Sequence, residues 1–175
     1  MSQLLLHNAR VVREDGIQHG SVLVRDRKVA GVFEHGQTPA GLSSRESIDL
    51  LEKYLAPGLI DIHIHGSAGI DVQNTDTDGL ANLSEFLLNE GVTGYFATFV
   101  PADEQNYLSA IKNVQSRIAA QEHTERGARL LGLHFEGPFV SLNSCGALRH
   151  RYFRTYDSDL RSIDTFAGRE RSPNL

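Results

Sequence analysis

Three things are scarce in this sequence: cysteine, long apolar runs and positive charge. The single cysteine, Cys145, leaves no partner for an internal disulfide, which suits a reducing compartment. The opening "MSQLLLHNARVV" has three consecutive leucines and then turns polar, too short a stretch for a secretory signal or a membrane span. Lysine and arginine number 17 against 22 aspartates and glutamates, a formal net charge of −5. Arg149, Arg151 and Arg154 lie close together, but no basic stripe for nucleic acid emerges. The expectation is a cytoplasmic protein that engages neither nucleic acid nor membrane.

What is present is the material of a packed fold. Hydrophobic residues make up 40% of the chain and charged ones 22%, ordinary values for a globular protein. There is no low-complexity segment and no solenoid-type repeat.

The pattern changes in kind near Leu55 to Pro57, which sets the expected units at 1–55 and 56–175. In the first, "ARVV", "SVLVRD" and "KVAGVFE" are short β-branched runs separated by turns. They predict a small antiparallel sheet, with "VLVRDRKVAGV" as a hairpin. The stretch "GQTPAGLSSRES" is a loop by composition.

From Pro57 onward, strand and helix patterns alternate. "GLIDIHI" reads as a strand, followed by a helix with Leu80, Leu83, Leu87 and Leu88 on one face, a Thr or Asp cap and a stop at Gly91. "VTGYFATFV" is a second strand. A second helix follows with Leu108, Ile111, Val114 and Ile118 as its stripe and Pro101 in its first turn. "ARLLGLHFEG" is a third strand, and "SDLRSIDTFAG" predicts the start of a third helix. Such alternation implies an α/β fold with a parallel sheet, either doubly wound or the start of a (β/α) barrel.

Two groups of residues could carry chemistry. His63 and His65 in "GLIDIHIHG" project from one face of their strand, about 7 Å apart along it. They end the strand at the edge where α/β folds place their sites, and Gly66 lets the chain turn close to a bound group. Taken alone, the pair is open between a metal site and two ordinary histidines. In "HFEGPF", Glu136 ends the third strand and faces the same rim, which favours a functional role. His134, two residues earlier, is better read as a core histidine bonded to neighbouring backbone. Cys145 is read as an incidental loop thiol.

The stretches "APGLIDIHIHGSAGIDV" at 56–72, "GVTGYFATFV" at 91–100 and "LGLHFEGPFVSLNSCGA" at 131–147 together resemble the amidohydrolase superfamily. Within it they are similar to the N-acetylglucosamine-6-phosphate deacetylase family. The H-x-H strand is shared by many amidohydrolases, whereas "H-x-E-G-P" is characteristic of these deacetylases. The likeness runs to about residue 155. It implies a partial TIM-type (β/α) barrel, its first three β/α units, preceded by part of a small β-sandwich. It also implies Glu136 as the central metal ligand, with His63 and His65 binding a second ion that is absent in some members, or assisting the first. Two imidazoles and a carboxylate suit Zn²⁺, with Fe²⁺ or Mn²⁺ also open. By the same resemblance the substrate is an amino-sugar phosphate, the reaction is hydrolysis of its acetamide, and the complete protein is a homodimer.

Two departures qualify that resemblance. After Gly146 and Ala147, on the substrate side of the family's site, a histidine is expected, and Leu148 stands there instead. Leucine offers neither hydrogen bond nor charge, so either His150 serves in its place or the amide substrate differs. A whole barrel also needs roughly 250 residues, and 56–175 is about half of that. The family's remaining histidine ligands, its phosphate-binding residues and its general acid/base aspartate are expected beyond Leu175. The chain is therefore expected to be a fragment, inactive alone and prone to self-association. The alternative is a non-catalytic assembly subunit or a degenerate piece.

Overall fold

The computed structural model describes residues 2–37, 46–121 and 126–155. Most of the loop expected at 36–47, the third helix expected at 158–168 and the tail after it lie outside the described residues. Two compact units meet at Pro57 and Gly58: Met1–Pro57 and Gly58–Leu175.

The first unit is one five-stranded sheet. β1 (Gln3–Arg13), β2 (Gly16–Arg25) and β3 (Lys28–Glu34) pair antiparallel in the order β3-β2-β1. The expected hairpin is present, with Arg25 opposite Lys28 and a two-residue turn in which Asp26 (φ 48°) and Arg27 (φ 66°) are both left-handed. Those angles match the twist of the flanking strands. The sheet is not purely antiparallel, however. β4 (Ser47–Asp49) and β5 (Tyr54–Leu55) both run parallel to β1, on its side away from β2. At three and two residues, they carry too little alternation to register in the sequence. Between them the Asp49 carboxylate accepts hydrogen bonds from the Leu51 amide (2.8 Å) and from Nδ2 of Asn8 (2.9 Å). The Leu51 bond, then that from Asn8, holds this carboxyl below the usual aspartate range. Ala9 and Val11 of β1 and Val22 of β2 form the sheet's small core.

In the second unit, β6 (Leu59–Ile64), β9 (Val92–Phe99) and β10 (Arg129–Phe135) form a parallel sheet in the order β10-β9-β6. A minor hairpin, β7 (Gly66–Ser67) with β8 (Ile70–Asp71), follows β6. The crossovers are α1 (Thr77–Asn89) and α2 (Glu104–Gln121). β9 is the middle strand, and Gly94, Tyr95, Ala97, Thr98 and Phe99 on it are all buried. A near-continuous buried run is usual for a central parallel strand.

α1 begins at Asp76, whose side chain accepts from the Gly79 amide at 2.8 Å, and it stops before Gly91 (φ 84°). Its buried stripe is Leu80, Leu83, Ser84 and Leu87; Leu88, expected on that face, is exposed, because Ser84 takes the place beside Leu80. α2 buries Tyr107, Ala110, Ile111 and Val114, while Leu108 is exposed. Tyr107 and Ala110 set that stripe one residue round from the one expected. Pro101 does not enter the helix. The Asp103 side chain accepts from the Asn106 amide at 2.9 Å, and Pro101 is buried ahead of it.

These faces close on one core that includes Leu80, Leu83, Tyr95, Phe99, Val114 and Leu130. Two glutamines bond strand backbone from within it. Gln73 takes both the amide (2.8 Å) and the carbonyl (3.1 Å) of Val100, and Gln121 takes both of Leu130 (3.0 and 2.8 Å). Each supplies polar groups that would otherwise be buried without partners. On the two outer strands Leu59, Ile60, Ile62 and Leu131 are exposed. Among the described residues, no helix is long and apolar enough to cross a membrane.

Candidate metal centre

The C-terminal ends of β6 and β10, the two outer strands of the parallel sheet, bring His63, His65 and Glu136 together. His63 belongs to β6, His65 directly follows that strand, and Glu136 directly follows β10. Their convergence depends on an irregularity. Asp61 pairs with Tyr95 and Ile64 with Ala97, so β6 spends one more residue than β9 over the same span. Such a bulge re-aims side chains beside a site. The His63 amide is taken by the Asp61 carboxylate at 3.0 Å, a local side-chain bond of the kind aspartate readily makes.

Glu136 is fixed by its backbone, whose amide donates to the Phe99 carbonyl at 2.8 Å. The chain then turns at Gly137 (φ 104°), and the Pro138 carbonyl accepts from Val140 and Arg154 to hold the following loop.

Nε2 of His63 and Nε2 of His65 are 3.2 Å apart. Oε2 of Glu136 is 3.5 Å from the first and 3.1 Å from the second. Donors held at about 2.0–2.1 Å from one tetrahedral ion are separated by roughly 3.3 Å, so these three spacings are those of ligands sharing an ion. The second ring nitrogen of His65 is engaged: Nδ1 lies 3.2 Å from the Thr98 carbonyl. A carbonyl only accepts, so Nδ1 carries the proton and the Nε2 lone pair is left for the cluster. The residues present therefore fit a divalent cation.

A cleft of about 530 Å³ opens beside the cluster, lined by His65, Glu136, Val100, Val140, Cys145 and Leu148 among others. Gly146 and Ala147 line it too, as does Arg149. His150 does not. Its Nε2 lies 3.1 Å from Sγ of Cys145 and its ring packs on Phe153, so Leu148 alone fills the position where the resemblance led one to expect a histidine. Sequence reasoning missed Thr98, a polar residue inside an apolar strand run. Its polarity within that run was the available signal; its hydroxyl lies 3.1 Å from Nδ1 of His134. His134 also packs its ring on His63, with centroids 4.8 Å apart.

A mixed α/β unit with an H-x-H pair and a carboxylate gathered at parallel strand ends has the framework of a divalent-cation site. The chain is homologous to the N-acetylglucosamine-6-phosphate deacetylases, aligning with their N-terminal part. It is 35% identical over 158 residues to the N-acetylglucosamine-6-phosphate deacetylase of Bacillus subtilis, an alignment covering 90% of this chain and 39% of that protein. The crystal structure of the deacetylase from Thermotoga maritima matches 91% of this chain and 39% of its own at a TM-score of 0.69 and 26% identity. That from Pasteurella multocida superposes with a TM-score of 0.76 over 93% of this chain and 41% of its own, at 24% identity. The chain thus spans about two fifths of the length of these relatives. No protein-family model matches it.

Proposed function

We propose that this chain is the N-terminal part of a metal-dependent N-acetylglucosamine-6-phosphate deacetylase, a cytoplasmic hydrolase that removes the acetyl group from an amino-sugar phosphate. The observation that carries this reading is the near-equal spacing of His63, His65 and Glu136. It is supported by the names of the relatives aligned over most of the chain. The three-stranded parallel sheet with its two crossovers corresponds, in this reading, to the first units of a TIM-type barrel, with 1–55 as part of a small β-sandwich. The exposed Leu59, Ile60, Ile62 and Leu131 are then surfaces on which further barrel strands or a second copy would pack.

His63, His65 and Glu136 would hold the cation, Zn²⁺ by the chemistry of the donor set, with Fe²⁺ or Mn²⁺ as alternatives. When bound, a divalent cation supplies Lewis acidity toward an amide carbonyl and lowers the pKa of water. His65 and Glu136 face the cleft, so the acetamide is placed beside them. Gly146 and Ala147 leave room for the sugar, and Arg149, a planar donor suited to phosphate, lines the same cleft. Among the described residues no aspartate belongs to the ligand cluster. Spanning about two fifths of the length of its relatives, the 175-residue chain is expected to bind the cation without releasing acetate from N-acetylglucosamine 6-phosphate. Acetate release by the purified chain at an enzyme's rate would overturn this division of the site. Failure of Zn²⁺ to bind in a manner that depends on His63, His65 and Glu136 would overturn the metal centre itself.

Leu148 in the cleft favours a second reading, an amidohydrolase acting on a different amide. A panel of N-acylated substrates, offered to a full-length relative carrying leucine at this position, distinguishes the two.

A further inference from the structure

Thr98 sits at the centre of the site's supports and is 1% exposed. On the middle strand it reaches both neighbours. Its main-chain carbonyl takes Nδ1 of His65, and its hydroxyl lies 3.1 Å from Nδ1 of His134 on β10. The His134 ring in turn meets the His63 ring at 60° with centroids 4.8 Å apart. His63 and His65 are 46% and 49% exposed at their side chains, so packing alone does not fix their rings. His65 has the Thr98 carbonyl. For His63, the ring support in the described structure beyond the cluster is His134.

We propose that His134, anchored by the Thr98 hydroxyl, is the positioning residue that sets the ring of His63 for cation binding. The proposal rests on the metal-centre reading. The physical reason is cooperative placement: a half-exposed imidazole samples several ring orientations, and a neighbour locked by a buried hydrogen bond removes those that turn Nε2 away from Glu136. The alternative, a core histidine merely satisfied by a threonine, makes no demand on His63.

The test uses the full 175-residue chain and Co²⁺ as the probe, read by both affinity and the visible absorption of bound cobalt. Thr98→Val keeps the β-branched shape and the main-chain carbonyl but removes the hydroxyl. Thr98→Ser keeps the hydroxyl, and His134→Ala removes the ring. Loss of support around a metal ligand typically costs about 10–100-fold in affinity. Thr98→Val and His134→Ala are expected to fall in that range with an altered cobalt spectrum, and Thr98→Ser to bind as the parent does. Parental affinity and spectrum in Thr98→Val would overturn the proposal, as would a Thr98→Ser chain as weak as Thr98→Val, since the hydroxyl would then be irrelevant. Thermal unfolding of each variant separates lost folding from lost binding, and the Val/Ser pair decides the matter even if His134→Ala does not fold. A parent chain that binds no Co²⁺ would overturn the metal-centre reading and this proposal with it. Tight binding by the parent and by Thr98→Val alike would overturn this proposal alone.

Discussion

A Cβ placed on Gly137 would stand 2.8 Å from Cγ of Pro101 and 2.9 Å from Cγ2 of Val140, and the residue's φ is +104°. The residue after Glu136 is thus confined twice, by its own backbone and by the buried proline at the end of the neighbouring strand. Gly137→Ala is expected to destabilise the chain by on the order of 1–3 kcal/mol and to weaken Zn²⁺ binding by displacing Glu136. Urea unfolding and calorimetric titration measure the two effects. An alanine variant equal to the parent in both would show that the loop yields freely.

Glu136→Gln preserves shape and removes the negative charge between the two imidazoles. Changes in outer supports alone cost about 10–100-fold in metal affinity, so a loss at least that large is expected here, without any change in thermal midpoint. Equilibrium dialysis with Zn²⁺ reads the first quantity and circular dichroism the second. Unchanged affinity would remove Glu136 from the ligand set.

Burial raises the phenol of Tyr95 above its ordinary value, with the Ser84 hydrogen bond and the Arg117 charge opposing in part; burial raises Tyr107 likewise. An unfolded phenol ionises near pH 10. Above that pH the unfolded chain releases protons that the folded one retains, so this contribution to stability is complete below about pH 10 and is lost as pH climbs toward the folded values. Urea midpoints are expected to fall as pH rises above about 10, and Tyr95→Phe to make that fall shallower. An identical slope in the variant would mean that Tyr95 ionises normally in the folded chain.

Leu83 is fully buried and Leu88 exposed, though both are leucines on α1. Leu83→Ala is expected to cost about 2–5 kcal/mol as a core truncation, and Leu88→Ala within about 0.5 kcal/mol of nothing. Chemical denaturation of the two side by side checks the assignment of the helix face.

How much of this was legible beforehand follows from the range over which each signal acts. The hairpin at Asp26 and Arg27, the caps of α1 and the buried run of β9 are set by neighbours within a few residues, and the sequence carries them openly. So do His63, His65 and Glu136, because strand ends and residue types together marked one rim. Leu88 and Leu108 were misplaced because a helix face is decided by its partner surface, and both stripes turn on Ser84, Tyr107 or Ala110, small or polar-tipped residues that hydrophobic periodicity underweights. β4 and β5 were invisible because a strand of two or three residues has no period. The roles of Thr98 and His134 depend on the register of three strands at once, which no single segment encodes.

The extra residue that β6 spends opposite β9 also bears on how the sheet breathes. Ladder hydrogen bonds protect amides in proportion to the opening needed to expose them, and at Asp61 to Ile64 the rungs are interrupted, with the His63 amide resting on a side chain instead. Deuterium should enter there earlier than along β9, which is paired on both sides, by β6 and by β10. A cation gripped by His63 and His65 would tie off that gap from outside, so the slowest-fastest contrast between the two strands should narrow when metal is added.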